Sequence, residues 1–445
     1  MLASLKRPLK SRLTLIGLIA LSLVLALSII RCGGGGGGDG GGSGTAPSIS
    51  GLTYSPTAVY VNAGGGQTDI TGTFDFTDPD GNLSSLVMVV LDSGGQTVQT
   101  STIAIAGVAG LTSGTIQGAV TIPTLTAGNF TVQIYVTDTA GLRSNTIEFI
   151  FPIKEFPWTT KSQMPTPRLE FSSAVVDGKI YIIGGRDAND TNTPKQVVST
   201  VEVYNPATDS WATGPSLPVA LANQMTIAVN GKIYAIGGNE EFATDTRDVV
   251  QEFDPATQQW TPKTPMPDQR ASAAVSVNNG LIYIVAGAGP GVTYNSLLWY
   301  DPVADTWNAG SPLSQARTGP GGATVDGQIL VYGGYSSTYI PDGGYLKSVE
   351  SYDPAMDSWS ARADGNPRRD FGVTVLDNLM YVFGGKNTSP ILDWVNVYEN
   401  ATNQWTTKTP MLSSLGFVRA ETVGDRIYIF DTNTTLEYTP ANDIL

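Results

Sequence analysis

From Trp158 to the C-terminus, short apolar segments alternate with polar turns, and the pattern repeats at a nearly constant distance. Segments such as KIYIIGG, KIYAIGG and LMYVFGG are rich in β-branched and aromatic residues and end at a glycine pair, which predicts β-strands. Six tryptophans recur at intervals of 46 to 53 residues, namely Trp158, Trp211, Trp260, Trp307, Trp359 and Trp405. A period of this length indicates a repeat architecture.

Spacing within each unit separates its strands from its loops. An aromatic residue precedes the tryptophan by seven positions, as Tyr204 precedes Trp211, and only the stretch from the glycine pair to that aromatic varies, from 13 to 19 residues. Invariant stretches indicate paired strands, and the variable one indicates a loop. Each unit is therefore predicted to have four strands: a before the turn, b before the glycines, c before the aromatic, and d at the tryptophan.

A glycine doublet followed by an aromatic residue and a tryptophan is the kelch signature, and residues 158–445 resemble kelch-repeat proteins. The resemblance implies a β-propeller, an all-β fold of radially arranged four-stranded sheets. The last unit ends at Tyr438 without a tryptophan, and its doublet is replaced by Phe430-Asp431. We expect the strand at Trp158 to complete that unit, so that six blades close into a ring within residues 155–445.

Residues 46–154 show a different pattern, with short β-branched strands such as NFTVQIYVTD between turns such as DPDG. About seven strands in this length suit an immunoglobulin-like β-sandwich, and the stretch resembles the Ig-like spacer modules of bacterial surface proteins.

The N-terminus has the pattern of an export segment, with four basic residues before an uncharged run from Leu13 to Ile30. Cys32 before the glycine-rich residues 33–45 resembles the lipid-attachment site of bacterial lipoproteins, followed by a flexible tether. Because Arg31 stands where those proteins have a small residue, an uncleaved signal-anchor helix within residues 1–32 is the alternative. Both interpretations predict an extracytoplasmic protein of the bacterial cell envelope, and lipidation favours the outer membrane or the surface.

Composition excludes several kinds of function. The chain has no histidine and a single cysteine, so an intrachain disulfide, a thiol nucleophile in the exported domains and a His/Cys metal site are excluded. Kelch-like propellers include copper radical oxidases, but these enzymes require histidine ligands, so this activity is excluded as well. Without the five basic residues before Cys32, 20 basic residues face 39 acidic ones, which disfavours nucleic acid as a partner. No cofactor is expected.

Four arginines occupy one repeat position, ten residues before the a–b turn: Arg168, Arg270, Arg317 and Arg368. Strand a is expected to be innermost, so these side chains are predicted to ring the channel mouth on the face that carries the long b–c loops. There they would bind a carboxylate or another anion. The alternative is that each arginine caps loop carbonyls between blades.

One local acid cluster, Asp75, Asp78, Asp80 and Asp138, is a candidate calcium site, because calcium takes several oxygen ligands from converging loops. The alternative is that Asp78-Pro79-Asp80-Gly81 is simply a β-turn. No other metal site is expected.

Three functions fit this organisation. The first is a membrane-anchored module that binds a glycan or a protein through its long-loop face. The second is a carbohydrate-active enzyme, such as the exported kelch mutarotases of sialic acid, with Glu170, Glu240, Glu241 or Glu421 in acid–base chemistry. The third is a purely structural surface protein. Absence of catalytic residue types such as histidine favours the first.

Overall fold

The computed structural model describes residues 28–32, 44–61, 67–123, 126–242, 245–339, 341–388 and 391–444. The chain divides into two compact units, Met1–Glu155 and Phe156–Leu445. Both consist of β-strands, and the helical elements in the described ranges are two short 3-10 turns, Pro341–Gly344 and Pro440–Asn442. The prediction of an all-β protein is confirmed.

In the first unit, the described strands form two sheets that share one apolar core. Val132, Ile134 and Val136 alternate along one strand and are buried in this core, and Phe74 and Phe76 enter it from the other sheet. In spatial order the first sheet comprises Ser28–Cys32, Ser113–Pro123, Gln67–Thr77 and Ser48–Ser55. The second comprises Val59–Tyr60, Ile147–Lys154, Gly128–Asp138, Leu83–Leu91 and Thr97–Ala104.

The N-terminal segment enters the described structure only at its end. Ser28–Cys32 runs antiparallel to Ser113–Pro123, with Cys32 opposite Gly114. Most of the apolar run from Leu13 to Ile30, and most of the glycine tether, lie outside the described residues. Within the ranges given above, no helix has the length and apolar character needed to cross a membrane. Lipidation of Cys32 stays a prediction.

The second unit consists of consecutive four-stranded antiparallel sheets, six of them in the described ranges. Sheet 1 comprises Ser172–Val176, Lys179–Ile183, Val201–Asn205 and Ser210–Gly214. Sheet 2 comprises Met225–Val229, Lys232–Ile236, Val250–Asp254 and Gln259–Lys263. Sheet 3 comprises Ala274–Asn278, Leu281–Val285, Leu297–Asp301 and Thr306–Gly310. Sheet 4 comprises Gly321–Val325, Gln328–Tyr332, Val349–Asp353 and Ser358–Arg362. Sheet 5 comprises Gly372–Leu376, Leu379–Phe383, Val395–Glu399 and Gln404–Lys408.

Sheet 6 is assembled from the two ends of the unit. Its strands in sequence are Arg419–Val423, Arg426–Asp431 and Thr434–Tyr438, and the fourth is Trp158–Thr160. Strand a of each sheet contacts strand a of the next, and strand a of sheet 6 contacts that of sheet 1. The sheets therefore surround a common axis. Two short two-stranded antiparallel sheets accompany them, Arg168–Leu169 with Arg186–Asp187 and Ala288–Gly289 with Val292–Thr293.

The aromatic residue of strand c and the tryptophan of strand d pair with each other within a sheet. The same tryptophan also contacts the neighbouring sheet. Tyr204 lies directly opposite Trp211 in the c–d hairpin, with ring centroids 5.0 Å apart. The Tyr204 hydroxyl donates to Asp209 Oδ1 at 2.7 Å, which fixes the hairpin turn. Trp211 Nε1 donates to the Ser162 carbonyl at 2.9 Å, beyond the end of the neighbouring sheet's strand d. One residue pair thus closes the hairpin and contacts the adjacent sheet.

The glycine doublet marks the closest approach between sheets. Gly237 has a φ of 60°, and a β-carbon on it would lie 2.2 Å from the Arg270 carbonyl oxygen of the next unit. No side chain fits there, so this step of the repeat requires glycine.

Candidate functional site

The four repeat arginines do not line the channel, which corrects the expectation that they ring its mouth. Arg168 is 0% exposed. Its Nη1 donates to the carbonyls of Gly184 at 2.9 Å and Thr200 at 2.8 Å, and Nη2 donates to Glu202 at 2.7 Å. Burial lowers the pKa of Arg168, while the charge of Glu202 raises it. The guanidinium of Arg168 is thus held by the strands and loops of sheet 1.

The other three arginines, Arg270, Arg317 and Arg368, are equally buried and bind in the same way. Each donates to the carbonyl sixteen residues further on, at the glycine-doublet position: Ala286, Gly333 and Gly384. Each also has a polar side-chain partner: Asp268, Glu350 and Asn396. The expectation that the arginines ring the channel mouth was wrong because each arginine lies before strand a and its side chain points toward the start of the b–c loop. This arrangement favours the capping alternative over anion binding.

The residue two positions after each arginine, and after Leu221 at the same repeat position, lies at the channel mouth instead. Glu170, Asn223, Ser272, Gly319 and Asp370, here called the mouth ring, share a left-handed backbone with φ between 51° and 65°. From Asn223 onward, each N–H donates to the carbonyl of the preceding member, with N···O distances from 2.8 to 3.3 Å, and Val418 N donates to Asp370 O at 3.3 Å. Non-glycine residues in this conformation are strained and cluster at functional sites.

Below the mouth ring lies a cavity of about 350 Å³ along the axis, lined by residues of strand a from every sheet described for the second unit. Asn223, Ser272, Gly319 and Asp370 of the mouth ring belong to this lining. Because these residues directly precede strand a, they stand at the end of the channel that faces the b–c loops. Binding of a ligand on this long-loop face stays a prediction.

Charged side chains of both signs converge on the mouth. Glu170 Oε2 accepts from Arg186 Nε and from Asn223 Nδ2, both at 2.8 Å. At Asp370, which is separated from Glu170 by sheet 6 alone, burial raises the pKa, and the charges of Arg369 and Lys386 oppose that shift. Mixed charges of this kind suit a polar ligand that offers both donors and acceptors.

Deeper in the channel, Glu421 and Arg419 lie on strand a of sheet 6. Glu421 accepts a hydrogen bond from Ser173 Oγ at 2.6 Å, and burial raises its pKa to about 7. Arg419 Nη1 donates to the Val418 carbonyl at 2.9 Å, and among the ion pairs of the described residues Arg419 forms none. The channel therefore presents a carboxyl group that titrates near neutrality beside a guanidinium with donors to spare.

Aromatic rings flank this polar mouth. The Arg369 guanidinium lies 5.1 Å from the Tyr335 ring centroid and 5.8 Å from that of Tyr345, and Lys386 Nζ lies 3.0 Å from the centre of the Phe417 ring. Cations held over rings in this way are stabilised by the ring quadrupole.

Of the four glutamates considered for acid–base chemistry, the structure brings Glu170 and Glu421 to the channel. Glu240 instead pairs with Arg247 at 2.5 Å in the b–c loop of sheet 2, and Glu241 is exposed. Sequence reasoning missed Asn223, Ser272, Asp370, Lys386 and Arg419. Recurrence of small or polar residues two positions after the arginine was the available signal.

The four acids of the predicted calcium cluster do not form one group, because Asp75 stands apart from the others. Asp75 is exposed and accepts from Thr115 Oγ1 at 2.6 Å, whereas Asp78 and Asp138 are buried. No group of three or more Asp, Glu, His or Cys side chains is placed to hold a metal ion in the described ranges.

Comparison with known proteins identifies the repeat. The family model described as the KLHDC2/KLHL20/DRC7 Kelch-repeats domain matches residues 148–320, and the Kelch motif matches residues 316–366 and 367–412. Beta-scruin of Limulus polyphemus is 27% identical over 308 residues, covering 68% of this chain and 27% of that protein. N-acetylneuraminate epimerase of Shigella sonnei is 39% identical over 87 residues, covering 19% of this chain and 23% of that protein.

The chain thus spans about a quarter of the length of each of these two curated relatives. A solved structure described as that of YjhT superposes with a TM-score of 0.47 and 19% identity, covering 63% of this chain and 94% of that one. The repeat signature, the four-stranded sheets around one axis and the matched family models agree, and the second unit is a β-propeller of kelch repeats.

Proposed function

We propose that this protein is a membrane-anchored, extracytoplasmic binding module that recognises a glycan through the mouth of a six-bladed kelch propeller. The six sheets are then the complete set of blades, and the first unit is an Ig-like spacer. The export-type N-terminus and the tether at residues 33–45 support this arrangement. The alternative ligand is a protein, which would be large enough to contact the b–c loops around the mouth as well.

The mouth ring is the observation that carries the proposal. Its members are joined to one another through backbone hydrogen bonds, so their side chains are not needed to hold the sheets together. Four of the five are nevertheless larger than glycine although the left-handed backbone favours glycine. Retention of strained, polar residues around a cavity is expected where the side chains contact a ligand.

The chemistry of the lining favours a sugar. Ser272, Asn223 and Asp370 at the mouth, with Arg419 and Glu421 below, alternate hydrogen-bond donors and acceptors as a polyhydroxylated ring requires. The cavity of about 350 Å³ lies at the small end of ligand pockets and suits the terminal unit of a glycan. Tyr335 and Tyr345 stand beside the mouth, where a further sugar can contact them.

A glycan-array screen of the soluble part of the chain, followed by calorimetric titration of the best ligand, tests this proposal. Asp370→Asn should weaken binding at least about tenfold, because a hydrogen bond to a charged group contributes about 1.5–3 kcal/mol. Asp425→Asn, the same change at a carboxylate that is 84% exposed beside the opposite, a–b turn, is the matched control. Equal affinities for both variants would contradict a ligand at the mouth.

A second function, acid–base catalysis on a sugar, is favoured by one observation. Glu421 faces the cavity with a pKa of about 7, which lets a carboxyl group both donate and accept a proton near neutral pH. The local similarity to N-acetylneuraminate epimerase agrees with this choice of substrate class. NMR exchange spectroscopy between the anomers of N-acetylneuraminate tests it: the protein should accelerate exchange, and Glu421→Gln should abolish the acceleration.

A further inference from the structure

Three side-chain oxygens in the first unit are buried and accept no hydrogen bond: Asp78 Oδ1, Asn82 Oδ1 and Asp138 Oδ2. The Asp78 residue is 0% exposed and Asp138 is 3% exposed. A carboxylate taken out of water without a partner costs several kcal/mol, so two of them near each other require an explanation.

The loops that carry these oxygens are joined to each other. Leu83, next to Asn82, pairs with Asp138 across the sheet, and Thr139 N donates to the Asn82 carbonyl at 3.0 Å. Asn82 N donates to Asp78 Oδ2 and Leu142 N donates to Asp138 Oδ1, both at 2.8 Å. One oxygen of each carboxylate therefore fixes its own loop, and the other is left for a different partner.

A third carboxylate borders the same place. Asp80 Oδ2 accepts from Thr45 N at 2.5 Å. A β-carbon placed on Gly44 would lie 3.1 Å from Asp80 Oδ2 and 3.9 Å from Asp138 Oδ2, so the two carboxylates approach the same point from different loops.

No basic side chain neutralises these acids. Asp78, Asp80 and Asp138 take part in none of the ion pairs found in the described residues. Arg143, the nearest cation in the sequence of the second loop, lies 3.5 Å above the Tyr135 ring and donates to Thr146 Oγ1.

We propose that Asp78, Asn82 and Asp138 form a calcium site that clamps these two loops of the first unit. The donors are exclusively oxygens, and the two buried carboxylates and one amide carbonyl are ligands that Ca²⁺ takes at 2.3–2.6 Å. Asp80, which is exposed and accepts from Thr45 N, borders the site without being one of its ligands, and water completes the shell. Asp75, which the sequence grouped with these residues, is not part of the site.

The kind of ion follows from the ligands. Transition metals prefer imidazole and thiolate, which this site lacks. Magnesium requires a rigid octahedron and keeps several of its waters, whereas two carboxylates and an amide carbonyl from separate loops suit the larger and more variable calcium shell.

Calorimetric titration of the full chain with CaCl₂, after treatment with a chelator, tests the proposal. One Ca²⁺ should bind per chain, and thermal unfolding of the first unit should move several degrees upward, because a ligand that binds only the folded state stabilises it. Asp138→Asn should lower calcium affinity at least about tenfold through the loss of one ligand charge. MgCl₂ at the same concentration should produce a smaller shift.

Asp75→Asn is the matched control, since it removes the same charge from an exposed position in the same unit and should bind calcium like the unchanged chain. Absence of a calcium-dependent heat and of a thermal shift in the unchanged chain would overturn the proposal, whatever the folding of the variants. An equal loss of affinity in Asp75→Asn and Asp138→Asn would also overturn it, because binding would then depend only on overall charge.

Discussion

Trp158 and Tyr438, near opposite ends of the second unit, are direct partners in one antiparallel sheet, with ring centroids 4.7 Å apart. Trp158 is 5% exposed, and its Nε1 donates to the Thr409 carbonyl of the adjacent unit at 3.1 Å. The strand expected to close the ring therefore does so, and it also contacts the preceding sheet. Closure gives the ring no free strand at this point.

Truncation on either side of this strand should give opposite results. Deletion of residues 46–150 should leave the propeller cooperative, because Trp158–Thr160 still pairs with Leu436–Tyr438. Deletion of residues 46–161 should expose the edges of sheet 6 and cause aggregation. Size-exclusion chromatography and thermal unfolding measure the difference. Identical behaviour of the two truncated proteins would contradict closure by this strand.

Arg317→Leu should destabilise the propeller by about 3–5 kcal/mol, because it leaves the Glu350 carboxylate buried without its partner. Chemical denaturation followed by tryptophan fluorescence gives the free energy. The double variant Arg317→Leu/Glu350→Leu should recover part of the loss. A single variant of unchanged stability that has lost ligand affinity would instead restore the anion-binding hypothesis for the repeat arginines.

Gly237→Ala should destabilise more than Gly231→Ala, although both glycines lie in sheet 2 with positive φ. At Gly231 a β-carbon meets nothing within 4 Å, so the cost is the backbone strain of about 1–2 kcal/mol. At Gly237 the clash with the Arg270 carbonyl adds about 1–3 kcal/mol. Similar midpoints of denaturation for the two variants would contradict this prediction, because the neighbouring chain could then move away from the new methyl group without loss of stability.

Stability should depend on pH through Glu421. Its pKa rises from 4.5 to about 7 on folding, so the folded state holds the proton more tightly than the unfolded chain. This contribution, at most about 3 kcal/mol, is present below pH 4.5 and is lost as the pH rises through about 7. Unfolding free energies from pH 4.5 to 8 should fall more steeply for the unchanged chain than for Glu421→Gln. Parallel curves would contradict the shift.

Cys32→Ser should abolish acyl labelling and release the protein from membranes if lipidation is the anchor. The measurement is metabolic labelling with a fatty-acid analogue, together with fractionation of the cells. Membrane retention of an unlabelled variant would support the signal-anchor helix instead.

Short-range spacing predicted the second unit well because kelch strands pair locally. The seven-residue step from Tyr204 to Trp211 is the geometry of one hairpin, and the glycine doublet is required by contact with the next unit. Closure by the strand at Trp158 was predictable because this strand d comes before the first complete repeat, whereas the last repeat, which ends at Tyr438, lacks a strand d of its own.

The site was less predictable, because it depends on side-chain direction. Sequence position placed Arg317 at the channel mouth, but the partners that hold it, Glu350 and the Gly333 carbonyl, are set by the fold. The residue two positions after the arginine faces the channel only because its left-handed backbone turns the chain there, as at Ser272. No local propensity of serine indicates that conformation, so the recurrence of small or polar residues at this position could not by itself reveal the mouth ring.

The mouth ring also has a consequence for how specificity can change. Its members are joined by main-chain hydrogen bonds, so a side chain such as that of Ser272 or Asp370 can be exchanged without breaking them. A new ligand can be accommodated by a handful of substitutions at positions equivalent to Asn223 and Asp370. Because the left-handed backbone favours only a few amino acids, the number of different side-chain combinations that the mouth ring can carry is small.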